Sequence, residues 1–145
     1  MSIVCIQEIN FDENKISKLF GILSELTTSP ILSKDKLLEI INKLPDNHFI
    51  YVYVNVHGVP VGTVSLLIEQ KLIRDGKKVG HIEDLVVDKN YFGQGVASKL
   101  INRCKETARK HDCYKIILDC KEEIAEFYEN QNFVKQGLCM RFDVT

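Results

Sequence analysis

The chain has 145 residues, 45% of them hydrophobic, and a formal net charge of −1. That length suits one domain over residues 1–145, with enough apolar content for a core that needs no disulfide staples. A near-neutral balance excludes a general nucleic-acid binder, which would carry a basic surface, and no apolar run approaches a membrane span.

Ser2–Ile9 alternates and predicts an opening strand. Asp12 or Asn14 caps a helix whose apolar stripe is Ile16, Leu19, Phe20, Leu23 and Leu26, broken by Thr27-Thr28-Ser29-Pro30. Ser33 opens a second helix through Leu37, Leu38, Ile41 and Leu44, stopped at Pro45. The period then changes to two. His48–Val56 and Val61–Glu69 read as strands joined through His57-Gly58-Val59-Pro60, and Arg74–Lys78 turns the chain into a third strand, Gly80–Val87.

Val96, Leu100, Ile101, Cys104 and Ala108 then share one face of a helix that exposes Lys99, Arg103 and Lys110. Tyr114–Asp119 reads as a buried strand, Glu122–Gln131 as a short helix, and Phe133–Val144 as one or two closing strands. The order β-α-α-β-β-β-α-β-α-β predicts an α/β (α+β) domain, a mixed sheet flanked by helices, without repeats or a linker.

The five cysteines (Cys5, Cys104, Cys113, Cys120 and Cys139) form no closely spaced pair and no Cys/His cluster with ligand spacing. They predict reduced thiols, several of them buried, in a cytoplasmic protein without a metal.

The junction Val86–Leu100 carries the strongest chemical signal: a strand end, a loop with Gly93 and Gly95, and a helix start. Such a junction presents unpaired backbone N–H groups and the positive end of a helix dipole, and glycines let a phosphate approach them. A Walker-type loop is absent, and so is the dinucleotide fingerprint of a βαβ unit. An ordinary tight connection is the plain alternative.

Phe92-Gly93-Gln94-Gly95-Val96-Ala97 resembles the pyrophosphate loop of the GNAT superfamily of N-acetyltransferases, Gln/Arg-x-x-Gly-x-Gly/Ala, with Phe92 in place of the usual first residue. Gly80-His81-Ile82-Glu83-Asp84-Leu85-Val86-Val87, Cys113–Cys120 and Phe127-Tyr128-Glu129-Asn130 resemble the glucosamine-6-phosphate N-acetyltransferase family within it. So do Leu26-Thr27-Thr28 and Ile68-Glu69-Gln70-Lys71, and the likeness spans nearly the whole chain. The resemblance implies a mostly antiparallel central sheet flanked by helices. It also implies direct acetyl transfer from acetyl-CoA to the 2-amino group of glucosamine 6-phosphate, a step toward UDP-N-acetylglucosamine, and a homodimer.

For the cosubstrate, the resemblance implies contacts from the backbone of Leu85, Val86 and Val87, the loop Gly93, Gln94, Gly95, Val96, Ala97 and Ser98, and Glu123, Ile124, Ala125 and Tyr128. For the sugar phosphate it implies Thr27, Lys71, Arg74, Glu83, Asp84, Leu85, Tyr114, Lys115 and Asp119. Tyr128 becomes the general acid at the departing thiolate, with Glu83 and Asp119 as the other catalytic groups. The family's C-terminal arginine falls at Asp143, and Arg141, on the same face of the expected strand, is the substitute.

Plain structural roles stand beside these. Glu83 and Asp84 point to opposite faces of a regular strand and suit an exposed, ion-paired strand end, and Asp119 suits a helix cap. Tyr128 at helical spacing suits core packing, and His81 reads as structural. Cys120 lacks a nearby histidine and reads as a buried thiol, not a nucleophile. Acetylation of another small-molecule or protein amine, and acyl-CoA binding without catalysis, remain the alternative functions.

Overall fold

Strands β1 (Ser2–Cys5), β2 (His48–Val54), β3 (Pro60–Gln70), β4 (Lys78–Val87) and β5 (Cys113–Ile117) lie side by side in one sheet in the computed structural model, which describes residues 1–145. The first four are antiparallel, and β5 joins β4 in parallel. A parallel neighbour needs a long crossover, and α4 (Val96–Lys110) supplies it. The β2–β3 turn is built by Asn55, whose Oδ1 accepts from the N–H groups of His57 (2.9 Å) and Val59 (3.1 Å).

Helices α1 (Glu13–Leu23) and α2 (Lys34–Asn42) cover one face of the sheet. Each starts at a side-chain cap: Asp12 accepts from the Lys15 N–H at 2.8 Å, and Ser33 from Lys36 at 3.2 Å. Ile16, Leu19, Phe20, Leu37 and Ile41 pack there on Val52 and Val54. On the other face, Leu100, Ile101 and Cys104 of α4 bury against Tyr51, Val64 and Leu66. Each fully buried Leu or Ile is worth about 1.5–3 kcal/mol of transfer free energy. Burial pushes the Cys104 thiol up to about 12, so it behaves as a small hydrophobe. At Gly62 a Cβ would stand 3.0 Å from Val96 Cγ1 and 3.3 Å from Leu100 Cδ1, so this glycine lets the start of α4 press onto β3. No helix is long and apolar enough to cross a membrane.

Two features position the site. Pairing between β4 and β5 ends at His81 and Ile117, while β4 continues to Val87. The β3–β4 register slips between Thr63 and Ser65, and Asp84 opposite the slip has φ +54°. This bulge bends β4, and the peptide groups of Ile82–Val87 on the β5 side have no ladder partner.

The expected closing strands over Phe133–Val144 are not formed. After Ile117 the chain makes a 3₁₀ turn, Glu122–Ile124, and the short helix α5 (Ala125–Glu129), then runs on as an exposed tail. Val134, Leu138, Met140, Phe142 and Val144 alternate as in a strand yet are 87–93% exposed. The tail has the pattern of a strand without a neighbour to take its N–H and C=O groups.

Other differences are local. The opening strand stops at Cys5, where Glu8 Oε2 accepts the Cys5 N–H at 2.8 Å and starts a 3₁₀ turn. The helix expected over Glu122–Gln131 is helical only over Ala125–Glu129, after the 3₁₀ turn. β5 is an edge strand, half-exposed instead of buried. Only Cys104 of the five cysteines is buried, and Cys120, expected inside, is exposed.

Candidate active site

Asp88 ends β4 by accepting the Asn90 N–H at 2.9 Å, which winds Lys89–Tyr91 into a 3₁₀ turn. The following Gly93 (φ +79°) and Gly95 (φ +77°) hold left-handed backbone that other residues adopt only with strain. The first backbone bond of α4 runs from the Lys99 N–H to the Gly95 carbonyl at 3.0 Å, and the N–H groups of Val96, Ala97 and Ser98 donate to no backbone acceptor. They form an anion-binding end with the helix dipole behind it. Gln94 and Phe92 flank this cradle, and Phe92 is exposed. Ser98 Oγ accepts from Gln131 Nε2 at 2.9 Å, which ties the same turn to the chain beyond α5.

Along β5 runs a groove of about 1000 Å³, with the tail as its outer wall. It gathers His81, Glu83, Tyr114, Lys115, Asp119 and Tyr128. Glu83 is exposed as a residue and lines the groove. Lost hydration, then the charges of Asp119 and Asp84, raise its carboxyl above the ordinary carboxylate range, while His81 opposes them. Tyr128 is buried, its ring T-shaped against Phe127 at 5.0 Å and Phe133 at 6.0 Å. Burial first, then Cys120 and Asp119, push its hydroxyl above the usual tyrosine range, so it stays protonated at neutral pH.

Of the remaining expected residues, only Ala125 also lines this groove. Leu85, Val86 and Val87 continue β4 beyond it, with Val86 buried and its neighbours packed on the core, so their side chains are structural and their peptide groups are free on one side. The bulge overrides the opposite-face geometry expected for Glu83 and Asp84, and both are exposed. Asp119 caps no helix, because Lys121 holds the N-cap position of the following turn and makes no side-chain cap there. Glu123 and Ile124 are exposed in that turn, and Ala125 is buried beneath them.

On the β3–β4 connection, the one-turn element α3 (Ile73–Gly76) puts Arg74 and Asp75 at positive φ. The Arg74 guanidinium sits 5.0 Å from the Tyr114 ring centre, and Lys115 Nζ sits 5.5 Å from the same ring. The Lys71 ammonium meets Glu69 at 3.1 Å. Thr27 lies exposed in the turn after α1, which a Glu25–Lys89 ion pair (3.3 Å) draws toward the end of β4.

Arg141 is not brought to the groove. With the tail unpaired, no strand face exists for it to share, and its Nε binds Asp143 Oδ1 at 2.6 Å. Two groups of the groove carried no functional assignment from the sequence. His81, read as structural, lines the groove two residues from Glu83, a spacing that was itself the available signal. Cys139 comes from the tail, its thiol raised chiefly by the charge of Asp119 and also by Glu83, and no local sequence pattern links it to them.

The acetyltransferase (GNAT) family matches residues 17–133 of the chain. Glucosamine 6-phosphate N-acetyltransferase of Candida albicans is 39% identical over 121 residues, 81% of each chain. An acetyltransferase of Trypanosoma brucei has a crystal structure that superposes with a TM-score of 0.86 at 34% identity, over 99% of both chains. The crystal structure of glucosamine-6-phosphate N-acetyltransferase from Arabidopsis thaliana gives a TM-score of 0.83 at 27% identity over the whole of each chain. With the splayed β4, the glycine cradle and the groove already in place, these likenesses make the chain a member of the GNAT acetyltransferases and, within them, of the glucosamine 6-phosphate N-acetyltransferase family.

Proposed function

We propose that this protein transfers the acetyl group of acetyl-CoA to the 2-amino group of glucosamine 6-phosphate, the activity named for its relatives. Glu83, Asp119 and Tyr128 share one groove where β4 leaves β5, and this convergence carries the assignment. GNAT acetyltransferases use acetyl-CoA. Its pyrophosphate is assigned to the N–H groups at Gly93–Ser98, with Gln94 beside them. Its pantetheine arm is assigned to the free peptide groups of Leu85–Val87, and Glu123, Ile124 and Ala125 to the rim. The sugar phosphate is assigned to Lys71, Arg74 and Lys115, with Thr27, Asp84 and Tyr114 around the ring.

The substrate ammonium cannot attack until it loses a proton, and the raised carboxyl of Glu83 suits the acceptor, directly or through water. The freed nitrogen attacks the thioester carbon, with the oxyanion facing peptide N–H groups near Leu85 and Val86. The C–S bond breaks and Tyr128 protonates the departing thiolate. The second nitrogen-bound proton restores Tyr128, and Glu83 passes its proton to solvent, so the balance closes at one proton released. Asp119 orients the sugar. Holding both reactants together supplies much of the acceleration.

We further propose a cytoplasmic homodimer. The free outer edge of β5 and the alternating apolar tail support pairing between two copies, which would also move Arg141 toward a sugar phosphate. To test the activity, the protein is incubated with acetyl-CoA and either glucosamine 6-phosphate or glucosamine, and N-acetylated sugar is read by mass spectrometry. Preferential turnover of the phosphorylated sugar supports the assignment. Equal turnover of both favours a different amine, a reading for which the Arg141–Asp143 pair speaks. Binding of acetyl-CoA without turnover of any amine leaves a non-catalytic regulator.

A further inference from the structure

Glu69, His81 and Glu83 form a row on the sheet face of Ile50 and Val52, opposite the face that packs on α4. His81 stands opposite Leu67 in the β3–β4 ladder, so Glu69, two residues along β3, is its diagonal neighbour on the same face. The His81 Nε2 and Glu69 Oε1 are 2.8 Å apart, and Glu69 Oε2 takes the Lys71 ammonium at 3.1 Å. The bonds from His81 and then from Lys71 hold the Glu69 carboxyl below its usual range. It is therefore a pure acceptor, and His81 Nε2 carries the hydrogen and donates it. One carboxylate thus fixes the orientation of the ring.

Glu83 lies two residues along β4 from His81, and both line the groove. The groups facing Glu83 come from every neighbouring element. Its β3 partner is the uncharged Ser65, while Asp84 follows it on β4. From the β5 side come Lys115 and Asp119, from α5 Tyr128, and from the tail Cys139. Three carboxylates crowd this end of the groove. Asp119 and Asp84 act against an ionised Glu83, and His81 acts for it.

We infer that His81, oriented by Glu69, is a positioning residue for the acetyl transfer: it lines the groove two residues from Glu83 on the same strand face and keeps Glu83 ionised to receive the proton of the substrate ammonium. The inference rests on Glu83 as proton acceptor. It assigns His81 no contact with the substrate; the imidazole acts through Glu83. Glu69 acts one step further out, through the ring.

The test compares the wild type with Glu69→Gln, His81→Gln and the double variant, measuring kcat from about pH 5.5 to about pH 9, the span in which a raised carboxyl titrates. Without the imidazole, Glu83 holds its proton to higher pH. The acid limb of kcat is therefore expected to move up in each single variant, and each pH step by which the limb rises lowers the rate at fixed acidic pH about tenfold. The double variant is expected to move no further than His81→Gln, all four rates to converge above the limb, and KM for acetyl-CoA to hold. A loss by the same factor at every pH marks a merely structural role and overturns the inference, as does an unchanged limb.

Glu83→Gln separates the two levels. If it abolishes the limb while the histidine variants leave the limb in place, Glu83 remains the acceptor and His81 does not act on it. If Glu83→Gln keeps the wild-type limb, the acceptor assignment fails and the inference falls with it. Should another amine prove the substrate, the same series on that amine keeps both questions open to the same outcomes.

Discussion

Tyr128→Phe removes one oxygen and leaves the rest of the site in place. The ring keeps its T-shaped contacts with Phe127 (5.0 Å) and Phe133 (6.0 Å), so the buried aromatic cluster is undisturbed. No side chain accepts from or donates to the hydroxyl, so no partner is stranded by its loss. Stability is expected to change by no more than about 1 kcal/mol, a melting change within about 5 °C. Catalysis is a different matter. A positioned general acid is worth about 10²–10⁴ in rate, and an acid oriented by packing alone belongs at the lower end. The expected loss in kcat is therefore about a hundredfold, about 3 kcal/mol of barrier. Steady-state turnover by mass spectrometry, a thermal melt and calorimetric binding of acetyl-CoA make the assay. A variant that melts and binds like the wild type but keeps kcat within about threefold would refute the acid role and return Tyr128 to packing.

Gly95→Ala puts a side chain at φ +77°, a strain of about 1–2 kcal/mol, and is expected to weaken acetyl-CoA binding about tenfold by calorimetry with little change in the sugar KM. Leu100→Ala empties a fully buried position between α4 and the sheet and is expected to cost about 2–5 kcal/mol in urea unfolding. Truncation after Phe133 removes the exposed apolar alternation and is expected to convert a dimer to monomer by light scattering; an unchanged mass would refute tail pairing. At high pH, deprotonation of Tyr128 is expected to give an alkaline limb above the ordinary tyrosine range, absent in Tyr128→Phe.

Much of the fold was legible in the sequence because local pattern and tertiary packing agree. The stripe from Val96 to Ala108 is the buried face of α4, and the alternation of His48–Val54 sorts Tyr51 and Tyr53 to one core and Val52 and Val54 to the other. The glycine loop lies where strand and helix were read to meet, because positive φ at Gly93 and Gly95 is a local demand. The tail failed for the opposite reason. Val134–Val144 has the period of a strand, but pairing is a property of two segments, and the single chain supplies no partner. The bulge at Asp84 was also missed, although the gap between buried Ile82 and buried Val86, filled by Glu83 and Asp84, breaks the period in a readable way. Contacts such as Glu69–His81 join residues twelve positions apart, and no local rule marks which distant pair will meet.

The unpaired stretch of β4 bears on how this site could be inhibited and how it could escape. Ile82–Val87 offers peptide N–H and C=O groups to whatever lies beside it, while Ile82 and Val86 keep their side chains in the core. A compound that hydrogen-bonds along this edge would grip atoms that every amino acid except proline shares. Resistance by a side-chain swap is therefore closed at the point of contact. The routes left are a proline in β4, a changed register at the bulge, or a side chain that crowds the approach, and each also obstructs the pantetheine arm assigned to the same edge.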